Sequence, residues 1–146
     1  MKNIRLPFGV QDYMPQECYN KELTQEKLGN VFSRHGFLRV GTPAIEYFDA
    51  YDEVLSRASQ NKTFKMTDSD GSLLILRSDP TLQICRMAAT KFDAENINKV
   101  YYLENSYEYI SDPTTARSRE FPQAGVELLG NSGNAGDIEI LTVAIE

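Results

Sequence analysis

Histidine occurs once in this chain and cysteine twice, so the residues that build most transition-metal centres are nearly missing. Cys18 and Cys85 lie far apart and match neither a zinc spacing nor a disulfide framework. Two such thiols fit a reduced, cytoplasmic setting. His35 is the single histidine, and the sequence marks out no Ser-His-Asp or Cys-His arrangement around it. His35 belongs to the last turn of a predicted helix, where its charge is favourable, so it receives no catalytic role. The glycine patterns of phosphate-binding loops and dinucleotide folds are absent too. No stretch approaches the roughly 18 apolar residues of a membrane-spanning helix. The opening Met1-Lys2-Asn3-Ile4-Arg5-Leu6-Pro7 has no apolar core of secretory length, so neither a signal peptide nor a membrane anchor is expected. Basic residues are outnumbered, 15 Lys and Arg against 21 Asp and Glu, giving a net charge of −6. That balance argues against broad nucleic-acid binding, tRNA included, although a local basic patch could touch phosphate.

What is present is ordinary globular material. The chain has 146 residues, 41% hydrophobic and 25% charged. That is one domain, or most of one, able to bury about 68–70% of its unfolded surface. There are no repeats, no low-complexity tracts and no Pro- or Gly/Ser-rich linker, so 1–146 is read as a single unit.

A helix begins at Pro15, with Glu17 in its positive first turn, and carries a stripe of Leu28, Val31, Phe32 and His35. Gly36 stops it, and a short strand follows over 37–40, ended by Gly41-Thr42-Pro43. Residues 64–67 and 72–76 flank Asp68-Ser69-Asp70-Gly71 and predict a hairpin. Asp79-Pro80 opens a second helix reaching about Lys91, with Ile84, Met87 and Ala88 on its buried side. Two longer strands, 100–110 and 120–129, pair antiparallel through a connection over 111–119. A last helix runs from about Gly136, with Ile138, Leu141 and Ile145 on one face. It stops without a cap or polar tail, which predicts the front part of a longer protein. The expected architecture is α+β: an antiparallel sheet with the first and last helices on one side and a ligand face on the other.

Three segments could carry chemistry. In Phe121-Pro122-Gln123-Ala124-Gly125-Val126-Glu127-Leu128, strand alternation sends Gln123, Gly125 and Glu127 one way and the apolar residues the other. An amide and a carboxylate then flank a residue without a side chain. This suits a small polar ligand, and equally a solvated sheet face with an incidental glycine. In Leu76-Arg77-Ser78-Asp79-Pro80-Thr81, Asp79 and Thr81 could cap the helix or hold a ligand's ammonium group. Arg117 and Arg119 are candidate anion-binding groups beside a strand start, or solvated loop charges. Tyr101, Tyr102, Tyr107 and Tyr109 read as structural strand aromatics.

Leu6-Pro7-Phe8-Gly9-Val10-Gln11-Asp12, then Pro15, a long helix, Gly36-Phe37 and Thr42-Pro43-Ala44-Ile45-Glu46, resembles the start of a histidyl-tRNA synthetase core. The last part is similar to class II synthetase motif 1, a dimer-forming element. The 76–81 segment is similar to the family's hold on an amino acid's α-amino group. Residues 121–130 resemble the closing strand of motif 2, with Gln123 and Glu127 at histidine-contacting positions. The resemblance implies a class II synthetase-like core carrying the motif 1 and motif 2 regions, with motif 3 absent. It implies a histidine-like pocket of Asp79, Thr81, Gln123 and Glu127, and a homodimer formed through the motif 1 region.

One departure bears on activity. The family's motif 2 arginine contacts the ATP α-phosphate, and counting back from Arg119-Glu120-Phe121 without gaps puts Tyr109 there. Ser111 takes the position of the acidic residue that meets adenine. A neutral phenol cannot replace a cation that stabilises developing phosphate charge. Together with the run from Arg77 to Ala89, this resembles the regulatory subunits of ATP phosphoribosyltransferase, synthetase paralogs of histidine biosynthesis. The implied function is non-catalytic, with no cofactor and no metal. Such a subunit pairs with a catalytic subunit, activates it and takes part in histidine feedback. The alternatives are a divergent histidine–tRNA ligase that activates histidine with ATP, and a synthetase-like module that binds another protein or RNA.

Overall fold

The computed structural model describes residues 4–93, 96, 98–115, 117–131 and 133–146, apart from the side chains of Arg57 and Ala58. Met1 to Asn3 of the opening segment and Ala116 of the 111–119 connection lie outside the described residues. The elements in order are α1 (Pro15–Arg34), β1 (Leu38–Arg39), β2 (Ile45–Tyr47), a 3-10 turn (Phe48–Ala50), α2 (Arg57–Asn61), β3 (Lys65–Thr67), β4 (Leu73–Leu76), α3 (Pro80–Lys91), β5 (Asn98–Tyr107), β6 (Glu120–Leu129) and α4 (Asn134–Ile145). The α+β expectation stands. The chain divides into two compact units.

The first unit comprises Met1–Tyr13, Pro43–Asp79 and Asn105–Pro122. Its sheet has the order β2-β4-β3, with both pairings antiparallel. The β3–β4 hairpin forms where expected: Gly71 has φ +90° and donates its N–H to the Asp68 carbonyl at 3.0 Å. Strand β2 and helix α2 were not anticipated. Three residues after a proline carry too little alternation to announce a strand, and β2 exists because Glu46 pairs with Ile75. Arg77 is nearly buried, and carbonyls satisfy it. Its Nε donates to the Asn105 carbonyl at 2.7 Å and its Nη1 to that of Pro43 at 3.4 Å.

The second unit comprises Met14–Thr42, Pro80–Glu104 and Gln123–Glu146. Helix α1 starts with Pro15 in its first turn, and the Glu17 carboxylate accepts the Met14 backbone N–H at 2.8 Å. It ends at Gly36, whose φ of +81° only glycine takes without strain. The sheet has the order β1-β5-β6. Strand β1 runs parallel to β5, Leu38 opposite Val100 and Arg39 opposite Tyr101. The expected all-antiparallel sheet is therefore mixed. A two-residue strand offers no pattern from which its direction could be read.

Strict alternation along β5 splits the core in two. Tyr101 and Leu103 face α1 and α4, clustering with Phe32, Phe37 and Val143. The Phe32 and Tyr101 rings lie 5.4 Å apart and tilted. Val100 and Tyr102 face the other way and pack on Ile84 of α3. The first and last helices thus share one side of the sheet, and the opposite face carries α3. Helix α4 buries Gly136 and Val143, while Ile138, Leu141 and Ile145 are exposed. The stripe singled out in the sequence is its outer face.

Candidate functional site

The second unit sets out the face that the β6 alternation predicts. Val126 and Leu128 pack into the α1–α4 core, which turns Gln123, Gly125 and Glu127 to the side of Tyr102. Thr81, in the first turn of α3, donates its hydroxyl to Glu127 Oε1 at 2.7 Å. Gln123 donates Nε2–H to the Tyr102 hydroxyl at 3.2 Å. Three of the four residues expected to form a histidine-like pocket, Thr81, Gln123 and Glu127, therefore belong to one face of one unit, and two hydrogen bonds engage all three. Asp79 stands half-buried directly before α3, within the first unit.

The space above Gly125 is where the structure departs from expectation. A Cβ there would stand 2.5 Å from the Tyr102 hydroxyl oxygen and 2.6 Å from Cζ. The glycine does open room on the sheet, and a phenol occupies it. Tyr102 is only 4% exposed, wedged with Ile84 and Val100. Sequence reasoning left Tyr102 as a structural aromatic. The signal that could have found it is shared parity: Tyr102 and Gly125 point to the same face once β5 and β6 are set in register.

The first unit holds the two loop arginines and the positions associated with ATP. Arg119 is surrounded by rings, its guanidinium carbon 4.9 Å from the centre of Phe8, 5.1 Å from Tyr109 and 5.3 Å from Phe64. Its Nη2 donates to the Ile110 carbonyl at 2.7 Å. Tyr109 also meets Phe64 edge-on at 5.6 Å. Arg117 donates to Glu108 at 2.8 Å, and Lys62 reaches the same carboxylate at 3.4 Å. Ser111 is exposed in the connection that follows. Glu108, Phe8 and Phe64 had no assigned role in the sequence. Nearby, burial raises the Tyr107 phenol above its ordinary value, the Glu120 carboxylate adds to the rise, and Arg77 opposes it.

Among the described residues no group of three or more His, Cys, Asp and Glu could hold a metal ion. No helix among them is long and apolar enough to cross a membrane.

This mixed sheet flanked by helices is the fold of class II histidyl-tRNA synthetase-like cores. It matches a histidine–tRNA ligase subunit of Alicyclobacillus acidocaldarius with a TM-score of 0.83 and 22% identity, over 99% of this chain and 41% of that one. It matches an ATP phosphoribosyltransferase regulatory subunit/histidyl-tRNA synthetase of Bacillus halodurans with a TM-score of 0.87 and 27% identity, over 99% and 37%. The histidyl-tRNA synthetase family model covers residues 9–146, and the chain belongs to that family. Within it, the chain is similar to proteins named ATP phosphoribosyltransferase regulatory subunit. That of Thermoanaerobacter pseudethanolicus is 38% identical over 143 residues, which are 98% of this chain and 37% of that protein. The chain therefore spans little more than a third of the length of the curated relatives it matches.

Proposed function

We propose that residues 1–146 are the front part, carrying the motif 1 and motif 2 regions, of a non-catalytic regulatory subunit of ATP phosphoribosyltransferase. In this reading the subunit activates a separate catalytic subunit in the cytoplasm and transmits histidine feedback. Thr81, Gln123 and Glu127 contact histidine, and Asp79 joins them on its sequence position alone. Binding biases how the subunit docks, which requires different histidine affinity in two states. Exposed apolar residues of α1 and β1, such as Tyr19, Leu23 and Leu38, support a homodimer through this region.

One observation carries the reading. The polar face of β6 is kept and hydrogen-bonded, while the Tyr109 ring is committed to the Arg119 cage and offers no cation to a triphosphate. Arg117, engaged by Glu108, and Arg119, enclosed by rings, remain proposed anion contacts only if a ligand can draw them out. Titration calorimetry of the full-length protein with L-histidine, alone and with the catalytic subunit, tests the sensor. Binding in either setting supports it, and none in both sinks it. Histidine-dependent ATP–pyrophosphate exchange by the full-length protein would instead establish the ligase alternative.

A further inference from the structure

We propose that a second copy of this chain docks on the cleft between α1 and β1, with Arg39 of each protomer reaching Glu22 and Glu26 of the other. The proposal rests on the homodimer reading above and names the contact that holds it. The cleft has a volume of about 360 Å3 and lies wholly within the second unit. Glu22 and Glu26 line it from successive turns of α1, and Arg39 lines it from β1. All three are exposed, and among the described residues none of their side chains has a hydrogen bond or ion pair. Like charges four residues apart on a helix repel, so the two carboxylates stand together at a cost that no cation of the same unit relieves. Opposite charges share one cleft without meeting inside a protomer.

The floor of the cleft adds a second observation. Tyr101 is only 8% exposed and its ring belongs to the core with Phe32, yet its tip reaches the cleft beneath Gly29, where a Cβ would stand 3.4 Å from the hydroxyl oxygen. Among the described residues that hydroxyl has no hydrogen-bond partner, whereas a tyrosine hydroxyl at such depth usually has one. Tyr19, one turn before Glu22, and Leu38, directly before Arg39, are exposed apolar neighbours of these charges. A patch with charges of both signs and apolar flanks suits a protein surface, and a copy of itself above all. A two-fold contact sets one patch against itself, and a patch of a single sign would repel its own copy. Exposed ion pairs contribute little, but pairs covered on docking set partner and register.

The test uses two variants of the full-length protein in sedimentation equilibrium. Arg39→Glu leaves the three positions all acidic, and Glu22→Arg together with Glu26→Arg leaves them all basic. Each variant alone should raise the dimer dissociation constant by about tenfold or more. Mixed in equal amounts, the two should form a heterodimer about as tight as the wild-type dimer, because every crossed contact again joins opposite signs. Mixing cannot repair a merely structural defect in either variant. Wild-type dimerisation should also weaken as salt rises. Variants that stay dimeric alone, or that mixing does not rescue, overturn the proposal and leave the homodimer reading standing. A wild-type protein that sediments as a monomer sinks both.

Discussion

Gly9 and Arg119 approach so closely that a Cβ on Gly9 would stand 2.7 Å from Arg119 Cγ, while the Gly9 carbonyl accepts the Arg119 backbone N–H at 2.6 Å. Gly9 also has φ +75°, so a side chain there meets both backbone strain and a clash. Gly9→Ala should destabilise the protein by about 1–3 kcal/mol in urea unfolding. A midpoint unchanged within error would mean that the Arg119 stem yields freely.

The cage makes a second prediction about Arg119. Three rings surround a flat, delocalised cation, a geometry that a lysine ammonium cannot reproduce. Arg119→Lys should cost about 1–2 kcal/mol despite conserving charge. Tyr109→Ala should remove part of that difference, since one wall of the cage goes with it. Equal stability of Arg119→Lys and the wild type in thermal melts would dismiss the ring contacts as incidental.

Gly125→Ala should be costly because Tyr102 has nowhere to go; overpacking of this kind costs about 1–3 kcal/mol. Tyr102→Phe should not rescue it, because Cζ itself lies 2.6 Å from the new methyl position. A smaller side chain, Tyr102→Leu, should recover part of the loss and give a coupling of about 0.5–3 kcal/mol in a double-mutant cycle. Additive effects would show that the two residues do not contend for the same space.

Alkaline titration supplies a fourth test. Burial, then the Glu120 charge, holds the Tyr107 phenol above its ordinary value of about 10. A folded-state pKa raised in this way contributes stability that is fully present below the unfolded pKa and is lost as pH rises through the folded one. Absorbance at alkaline pH should therefore show one tyrosine ionising late, absent in Tyr107→Phe. Glu120→Gln should bring it back toward the ordinary range. A Tyr107 that ionises with the other tyrosines would contradict the assignment.

The fold was most legible where local chemistry decides it. Pro15 and Gly36 bracket α1, Gly71 turns the hairpin, and Pro80 opens α3, each through a backbone preference that the residue carries with it. Strand β2 was hidden because Ile45, Glu46 and Tyr47 become a strand only against β4. The parallel hand of β1 was hidden for the same reason. In the candidate site, the parity of Gln123, Gly125 and Glu127 follows from the period of a strand. Tyr102 does not, since bringing it over Gly125 needs the register of two strands joined by a long connection. The Arg119 cage likewise draws Phe8, Phe64 and Tyr109 from three separate stretches of chain, and no local pattern unites them.

The pairing of Leu38 with Val100 has a consequence for how the protein is made. At about 5–20 residues per second, the partner of the first strand emerges from the ribosome roughly 3–12 seconds after it. Through that interval Phe32 of α1 and Phe37, just before β1, have no sheet to pack on. The nascent chain must carry those rings unshielded, which makes the early stage of translation the moment when chaperone capture, or misassociation between neighbouring polysomes, has its opening.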